Sequence, residues 1–365
     1  MELLIMRKVA LWLMLGLIAG SQAGCASEKE LEPQSCTPPK QSIGFLFGAA
    51  REQALGQGRE AVALVRQQDA AALYARFSPE LAQTLSEEEL RQVMQESFAS
   101  TPLGEPLGEM VASLSTGGQL LTFFQADYSW TQEQDVTLVF GFAPEGKIAL
   151  LQMTPQQRLP PDPHANYSLQ TRLRLPFAAA DTWIVFWGGG GTSRALNYHV
   201  VAPDQRHAYD LVRVDAEGRT HTGDGSSNDQ YFCWDRPVIA PADATVVSVK
   251  DGVFDNCPGV LNPVVPAGNH VLLDFGNGEH GLFAHLRKDS VQVSEGQQVK
   301  AGDLLGVCGN SGNSSEAHLH FHLQDGPVPF QGHGLPVTFV DYVANGQPIA
   351  EGTPVQGDLL RLPTP

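Results

Sequence analysis

The sequence predicts an α+β N-terminal domain followed by a mainly antiparallel β C-terminal domain. Apolar residues at helical spacing and helix-capping signals are confined to about the first hundred residues. Beyond about residue 155 that periodicity almost vanishes, and short apolar runs alternate with glycine or Asn-Gly turns. With 365 residues, 42% of them hydrophobic, the chain is long enough for two domains with cores of their own.

The first residues have the layout of an export signal. Arg7 and Lys8 precede an apolar run, and small residues ending in Ala23 follow it. We therefore predict a signal peptide over residues 1–24 and a location in the periplasm or cell envelope. Cys25 stands where a bacterial lipoprotein carries its acylated cysteine, so a lipid anchor through Cys25 and simple secretion remain alternatives. Residues 25–42 are polar and proline-containing, which predicts a tether.

Residues 43–154 are predicted to form the small α+β domain. Val62 and Val65 belong to a helix-period apolar pattern, and Ser86 with Glu89 has the spacing of a capping box. Strand-like runs separated by turn residues follow Gly104. The segment contains neither histidine nor cysteine, so we assign it a spacer or substrate-positioning role.

Proline content marks the next boundary. Residues 155–165 carry several prolines in a polar stretch and are predicted to be a linker. The β-rich domain is predicted over residues 166–345, because many short strands without helices favour a compact antiparallel sheet or barrel. Residues 346–365 are predicted to be a C-terminal tail.

Charge and cysteine content limit the possible partners. Lys and Arg total 23 against 40 Asp and Glu, for a net charge of -17, which disfavours nucleic acid as a partner. The five cysteines form no CxxC pair, so a metal would be held mainly by histidine and carboxylate. In an oxidising compartment we predict that Cys233 pairs with Cys257, leaving Cys36 and Cys308 free or joined.

Histidines are concentrated in the β-rich half. All but one of the 11 histidines lie after residue 198. On a strand, His318, His320 and His322 would share one face, because alternate side chains point the same way. Two imidazoles and a carboxylate with one open position suit zinc, so we predict a Zn²⁺ cofactor. His270 and His280 are predicted to lie at the surface beside strand turns.

Several short motifs follow one another in a recognisable order. They are Ala208-Tyr209-Asp210, the run from Pro237 to Val247, Gly268-Asn269-His270-Val271, Phe283-Ala284-His285-Leu286, the run from Val299 to Gly306, and Gly309-Asn310-Ser311-Gly312 before His318-Leu319-His320-Phe321. Over about residues 197–341 this series resembles the lysostaphin and LytM type of zinc metallopeptidases, which cut bacterial cell-wall peptides. The resemblance implies a LytM-like sheet or barrel built on a duplicated hybrid motif. More weakly, the N-terminal domain resembles NTF2-like or cystatin-like domains.

The resemblance also implies roles for individual residues. By position, Asp210 and His320 correspond to zinc ligands. His285 and His318 correspond to the pair that flanks the water or the substrate carbonyl and carries protons during peptide hydrolysis. His322 stands where relatives often have an acidic residue, and we interpret it as a residue that supports the site.

The remaining ligand is open between histidines. The family usually carries it four residues before the aspartate, but that place holds Arg206. In an extended segment His207 would point away from Asp210, because residues three apart lie on opposite faces. His199, just after the glycine-rich loop, is therefore favoured over His207, with His221 third.

The function implied by this resemblance is that of an exported zinc metalloendopeptidase, hydrolysing peptide bonds in peptidoglycan stems or cross-bridges. The alternative is a degenerate LytM-like regulator or binding module of another cell-wall hydrolase, which the substitution at Arg206 motivates. A zinc hydrolase with a different substrate is a third hypothesis. The expected partners are peptidoglycan peptides and other envelope proteins.

Overall fold

The computed structural model describes Cys36 and residues 41–116, 119–178, 182–189 and 193–363. The predicted signal peptide, residues 1–24, and the lipidation candidate Cys25 lie outside these residues. Within the described part of the chain, no helix is both long and apolar enough to cross a bilayer.

Four α-helices lie in the N-terminal part of the described chain. They are α1 (Gly48–Arg66), α2 (Ala70–Tyr74), α3 (Pro79–Thr84) and α4 (Glu87–Phe98). The Ser86 side chain accepts from the Glu89 backbone, and the Glu89 carboxylate accepts from the Ser86 backbone, so the predicted capping box is present. The long helical pattern is broken between α1 and α2, where Asp69 caps a new helix by accepting from the Ala72 backbone.

The helices pack on a five-stranded antiparallel sheet. Its strands follow chain order and are β1 (Gln41–Gly44), β2 (Pro106–Thr116), β3 (Gln119–Ser129), β4 (Gln134–Phe142) and β5 (Ile148–Gln157). The strands β1 and β5 extend beyond the predicted limits of residues 43–154. Pro155 is tolerated within β5 because this strand lies at the sheet edge, where a missing N–H breaks no pairing on the open side.

The C-terminal part is nearly all β. Its strands are β6 (Trp183–Trp187), β7 (Tyr209–Val212), β8 (Pro237–Ile239), β9 (Ala244–Lys250), β10 (Asn269–Asp274), β11 (His280–Leu286), β12 (Gln298–Val299), β13 (Leu304–Val307), β14 (Leu319–Gln324), β15 (Gly334–Leu335), β16 (Phe339–Ala344), β17 (Gln347–Gly352) and β18 (Leu359–Arg361). One sheet has the order β12-β9-β10-β11-β14-β7-β6-β18-β16-β17, with β15 beside β14, while β13 and β8 form a separate pair. The predicted fold class, an α+β domain followed by an antiparallel β domain, is confirmed.

The predicted C-terminal tail is instead part of the large sheet. Within residues 346–365, strand β17 pairs with β16, and β18 pairs with both β16 and β6. Asn345 and Gly346 both have positive φ and form the two-residue turn between β16 and β17. Asn-Gly favours this kind of hairpin, because both residues tolerate left-handed backbone. The turn therefore returns the chain to the sheet instead of releasing it.

Two disulfides correct the predicted pairing of Cys233 with Cys257. Cys36 is bonded to Cys257, and Cys233 is bonded to Cys308. Cys233 and Cys308 have Cα atoms 6.2 Å apart, because Cys308 follows directly on β13 and Asp235 donates from its backbone to the Cys308 carbonyl. The cross-links join segments 221 and 75 residues apart in sequence.

Removing the Cys233–Cys308 bond by a Cys233→Ala/Cys308→Ala variant is expected to lower the free energy of unfolding by about 3 kcal/mol, because the bond restricts a long loop of the unfolded chain. Urea unfolding of the variant and the parent measures this difference. Unreduced peptide mapping should also recover Cys36 linked to Cys257. A peptide that links Cys233 with Cys257 would contradict the observed pattern.

A small apolar cluster joins the two sheets. Met110 and Ala112 of β2 pack with Trp187 and Ala195, and Tyr198 lies against the same group. The N-terminal sheet therefore packs directly on the segment that leads into the candidate site.

Candidate metal centre

Three ligand side chains from distant parts of the sequence converge in the C-terminal domain. His199, Asp210 and His320 each offer one ligand atom, and these atoms lie within 4.8 Å of one another. The Nε2 atom of His199 is 2.9 Å from Oδ2 of Asp210, and Nδ1 of His320 is 2.9 Å from Oδ1 of the same carboxylate. All three residues are buried.

Sheet register brings the aspartate and the second histidine together. Asp210 on β7 lies directly opposite His320 on β14, so their side chains point to the same face. His199 comes from a 3-10 turn, Tyr198–Val201, which begins where the Asn197 side chain accepts from the His199 backbone. Asn197 also donates to the carbonyls on either side of His207, at Arg206 and Ala208, which fixes the turn beside the start of β7.

A buried carboxylate of the N-terminal sheet holds the segment before His199. Asp127 on β3 accepts from the Ser193 hydroxyl at 3.1 Å and from the Ala195 backbone at 2.7 Å. It also accepts from Thr137 at 2.7 Å. Because the segment 193–197 runs directly into His199, Asp127 ties the position of this candidate ligand to the other domain.

We expect Asp127→Ala to weaken metal binding at this centre. The change removes the shared acceptor of three buried donors, of which only the Ala195 backbone keeps another contact, to the Ser193 hydroxyl at 3.2 Å. We expect a cost to folding of roughly 3 kcal/mol in all and a less restrained segment before His199. Zinc affinity, measured by competition with a chromophoric chelator, should fall. Asp135→Ala is the matched control, because Asp135 is a buried carboxylate of the same sheet whose partner is Arg158. Equal zinc affinities for the two variants would contradict this role.

A hydrogen-bond chain determines the tautomer of His320. The amide nitrogen of Gln324 donates to the carbonyls of Gly326 and Val328, and its Oε1 accepts from the Phe330 backbone. Since Oε1 is an acceptor, Nε2 of His322, 3.1 Å away, must carry the proton. The Nδ1 atom of His322 is then an acceptor for Nε2–H of His320, at 2.9 Å.

This tautomer makes the centre fit a cation. With its proton on Nε2, His320 directs the lone pair of Nδ1 at an oxygen of Asp210, and that oxygen is also an acceptor. Two acceptors at this separation are stabilised by a positive ion between them. Two imidazole nitrogens and one carboxylate oxygen form a ligand set typical of zinc sites that keep one position open. The donor chemistry of His199, Asp210 and His320 therefore fits zinc.

His322 is expected to support metal binding through His320. His322→Leu removes the acceptor for Nε2–H of His320, and loss of such an outer partner typically costs about 10- to 100-fold in metal affinity. His322→Asn keeps an oxygen near the position of Nδ1 and should retain most of the affinity. Chelator competition gives the affinities, and ¹⁵N NMR of the imidazoles reports the His320 tautomer. Equal zinc affinities for both variants and the parent would contradict a role of this hydrogen-bond chain in metal binding.

Two further imidazoles face the centre. The ring centroids of His285 and His318 are 4.7 Å apart, and that of His285 is 5.6 Å from His320. Nδ1 of His285 lies 2.8 Å from the Ser311 carbonyl, and Nδ1 of His318 lies 2.9 Å from the Glu316 carbonyl. A carbonyl only accepts, so both Nδ1 atoms carry protons and both Nε2 atoms have a free lone pair in the neutral rings. His285 also has φ of 62°, an uncommon backbone state for a residue with a side chain.

Burial and mutual charge set the protonation of the group. Burial lowers the pKa of His320 to about 4, so this imidazole is neutral at neutral pH, as a metal ligand must be. Burial, together with His318 and His320, holds the pKa of His285 well below its usual range. Burial opposes ionisation of Asp210, but His199 and His318 outweigh it and hold the carboxyl pKa well below its usual range. Burial also acts to lower the pKa of His318, but Asp210 outweighs it and the pKa is raised.

The other candidate histidines lie elsewhere. His207 pairs with Asp162 at 2.8 Å, and His221 packs on Tyr231. His270 and His280 are buried, which corrects the prediction that they lie at the surface. Both belong to strands in the interior of the large sheet, β10 and β11, each of which is paired on both sides.

The residue in the place of the usual histidine points away from the centre. Nη1 of Arg206 donates to the Pro160 carbonyl at 2.8 Å, and Nε lies 4.0 Å from Asp162. The guanidinium therefore contacts the segment after β5. The imidazole beside Asp210 is that of His199.

Sequence reasoning missed the groups that orient the imidazoles. The carbonyls of Ser311 and Glu316 carry no sequence signal, because every residue has a backbone carbonyl. Asp127 was missed because it belongs to a domain without other candidate residues. The alternation of His320, His322 and Gln324 along β14 was the one available signal for the supporting chain.

Comparison with known proteins identifies the class of this domain. Residues 232–332 match the profile of Peptidase family M23. The chain therefore contains a Peptidase M23 domain over these residues. The matched range includes His285, His318 and His320 and begins after His199 and Asp210.

Relatives align with only part of this chain. It is 34% identical over 121 residues to an uncharacterized metalloprotease of Haemophilus influenzae, covering 33% of this chain and 21% of that protein. It is 31% identical over 87 residues to the peptidoglycan DD-endopeptidase ShyA of Vibrio cholerae, covering 24% and 17%. The figures for the cell division protein DipM of Caulobacter vibrioides are 34% over 91 residues, covering 25% and 14%. The chain thus spans about a fifth or less of these relatives.

Among solved structures, the catalytic domain of lysostaphin from Staphylococcus simulans aligns with a TM-score of 0.23 at 17% identity, covering 40% of this chain and 86% of that one. A mutant form of the catalytic domain of the M23 protein EnpA from Enterococcus faecalis aligns with a TM-score of 0.25 at 18% identity, covering 35% and 73%.

Proposed function

We propose that this chain is an exported zinc metalloendopeptidase that hydrolyses peptide bonds in peptidoglycan stems or cross-bridges. The observation that carries the proposal is the convergence of His199, Asp210 and His320 on one buried point, with ligand atoms within 4.8 Å of one another. The Peptidase M23 domain supports the reaction class. The name of the Vibrio relative, a peptidoglycan DD-endopeptidase, supports the substrate class.

The cysteine pairing supports export. Disulfides persist in oxidising compartments outside the cytoplasm. The described residues form two, between Cys36 and Cys257 and between Cys233 and Cys308. The basic and apolar layout of residues 1–24 agrees with that location. We therefore place the protein in the cell envelope, where its substrate lies, either lipid-anchored through Cys25 or released.

The side chains around the centre are suited to proton transfer. When bound, zinc supplies a Lewis acid that activates water at neutral pH and polarises the scissile carbonyl. Nε2 of His285 or of His318 takes the proton of the attacking water and returns it to the leaving amine. The other imidazole donates a hydrogen bond to the developing oxyanion from Nε2 when it is protonated at both nitrogens, a form that the raised pKa of His318 favours and the lowered pKa of His285 opposes. The contacts of both Nδ1 atoms with backbone carbonyls keep Nε2 available for these steps.

The test is release of soluble fragments from purified cell-wall sacculi. The full exported chain should solubilise sacculi, lose that activity with a chelator and regain it on addition of zinc. Fragments should carry new amino termini, which separates peptide hydrolysis from glycan cleavage. Zinc-loaded protein that releases nothing from sacculi of several peptide chemistries would overturn the proposed substrate.

The alternative of a non-catalytic regulator predicts a different response. This alternative rests on Arg206, which stands where the family usually has a histidine ligand. In our proposal His199 supplies that ligand instead. If the protein is a regulator, the parent and the His320→Ala variant should stimulate another wall hydrolase to the same extent. A protein that purifies without zinc and acts in that way favours the regulator.

A further inference from the structure

A second group of metal-ligating side chains lies away from the candidate centre. His164, Asp325 and His333 each offer one ligand atom, and these atoms also lie within 4.8 Å of one another. Nε2 of His164 is 3.0 Å from Oδ2 of Asp325, and Nδ1 of His333 is 3.5 Å from the same oxygen. Their side chains are 24%, 32% and 50% exposed, so an ion in solution can reach them.

The backbone positions two of these residues. The Asp325 backbone donates to the His333 carbonyl at 3.0 Å, and the His333 backbone donates to Oδ1 of Asp325 at 2.8 Å. This leaves Oδ2 as the oxygen that faces both imidazoles. Gly332 makes room for the carboxylate, because a Cβ atom there would lie 2.2 Å from Oδ1 of Asp325. The φ of Gly332, +99°, also favours glycine.

His164 is positioned without the use of its Nε2 atom. Its backbone donates to Oδ1 of Asp162 at 2.9 Å, and its ring packs edge-on against Tyr167. The Tyr167 hydroxyl in turn donates to Glu279 at 2.9 Å, which fixes that ring against β11. The imidazole of His164 is therefore held with Nε2 directed at the carboxylate of Asp325.

We propose that His164, Asp325 and His333 form a second site for a divalent transition-metal ion. Two imidazoles and a carboxylate are ligands that zinc and other late first-row transition metals prefer. A cation would lie among the two ring nitrogens and the carboxylate oxygen. His164 belongs to the connecting segment, residues 158–167, which follows β5 of the N-terminal sheet. An ion at this site fastens the connecting segment to the loop between β14 and β15. None of its ligands belongs to the buried centre, although the same loop contacts Gln324 of the hydrogen-bond chain that orients His320.

Native mass spectrometry of the full exported chain, stripped with chelator and titrated with zinc, counts the bound ions. We expect two ions for the parent and one for each of His333→Ala, Asp325→Asn and His320→Ala. His221→Ala is the control, since this histidine lies outside both groups, and it should bind two. Hydrogen exchange in residues 158–167 should slow on zinc addition in His320→Ala, and not in His320→Ala/His333→Ala.

The two sites can fail independently. A parent that binds one ion, which is lost in His333→Ala and kept in His320→Ala, supports the second site and contradicts the first. If His333→Ala and Asp325→Asn bind as many zinc ions as the parent, the second site is refuted.

Discussion

His320→Ala is expected to remove zinc from the buried centre and to reduce sacculus solubilisation to the level of the chelator-treated protein. The variant loses one of three protein ligands and leaves a gap beside Oδ1 of Asp210, while the contact of Oδ2 with His199 remains. The loss of zinc affinity should exceed the roughly 10- to 100-fold that removal of an outer hydrogen-bond partner costs. Zinc affinity and fragment release are measured on the same preparation.

The control for this variant is His270→Ala. His270 is also a buried histidine of the large sheet, but its Nδ1 contacts the Gly268 carbonyl and none of the three candidate ligands. The His270→Ala variant should keep zinc and activity. Circular dichroism checks that both variants fold like the parent. Full activity of His320→Ala would contradict its assignment as a ligand.

His285→Asn should retain zinc and lose catalysis. Asparagine tolerates the positive φ at this position, and its amide can still donate to the Ser311 carbonyl, so the local structure should survive. The change removes Nε2, the atom proposed to carry or stabilise charge during hydrolysis. Proton transfer of this kind contributes about 100- to 10,000-fold, so kcat should fall by that factor.

The readout that separates this role from a structural one is zinc affinity. A positioning defect would lower affinity and activity together, whereas a proton carrier affects kcat alone. His285→Ala is the second variant, because alanine at positive φ adds strain and cannot donate to Ser311. If His285→Asn keeps the parent kcat, His285 has no part in the chemistry.

Strand alternation explains how much of the centre the sequence could predict. The spacing of His318 and His320 predicted one shared face, with His318 directly before β14 and His320 on it. The register of β7 then brings Asp210 opposite His320. The identity of the third ligand depends on a turn that Asn197 begins and that Asp127, 68 residues away from Ala195, holds in place. Contacts at that separation leave no local sequence pattern. The sequence could therefore favour His199 over His207 as the third ligand but could not decide between them.

Other differences have equally specific causes. The Asn345-Gly346 turn was a local signal that predicts a hairpin, and giving it weight would have placed β17 in the sheet. The disulfide pairing had no such signal, because Cys36 and Cys257 meet across 221 residues. His270 and His280 were expected at the surface from nearby turns, although burial depends on the strands that pack beside them.

The central claim is that His199, Asp210 and His320 together hold zinc. Crystals of the zinc-loaded chain, measured at the zinc absorption edge, test it directly. We expect an anomalous peak within bonding distance of Nε2 of His199, an oxygen of Asp210 and Nδ1 of His320. Zinc binding by these three residues would be contradicted if crystals grown with excess zinc showed no peak there. A peak for an ion bound by Asp210 and His207 would also contradict it.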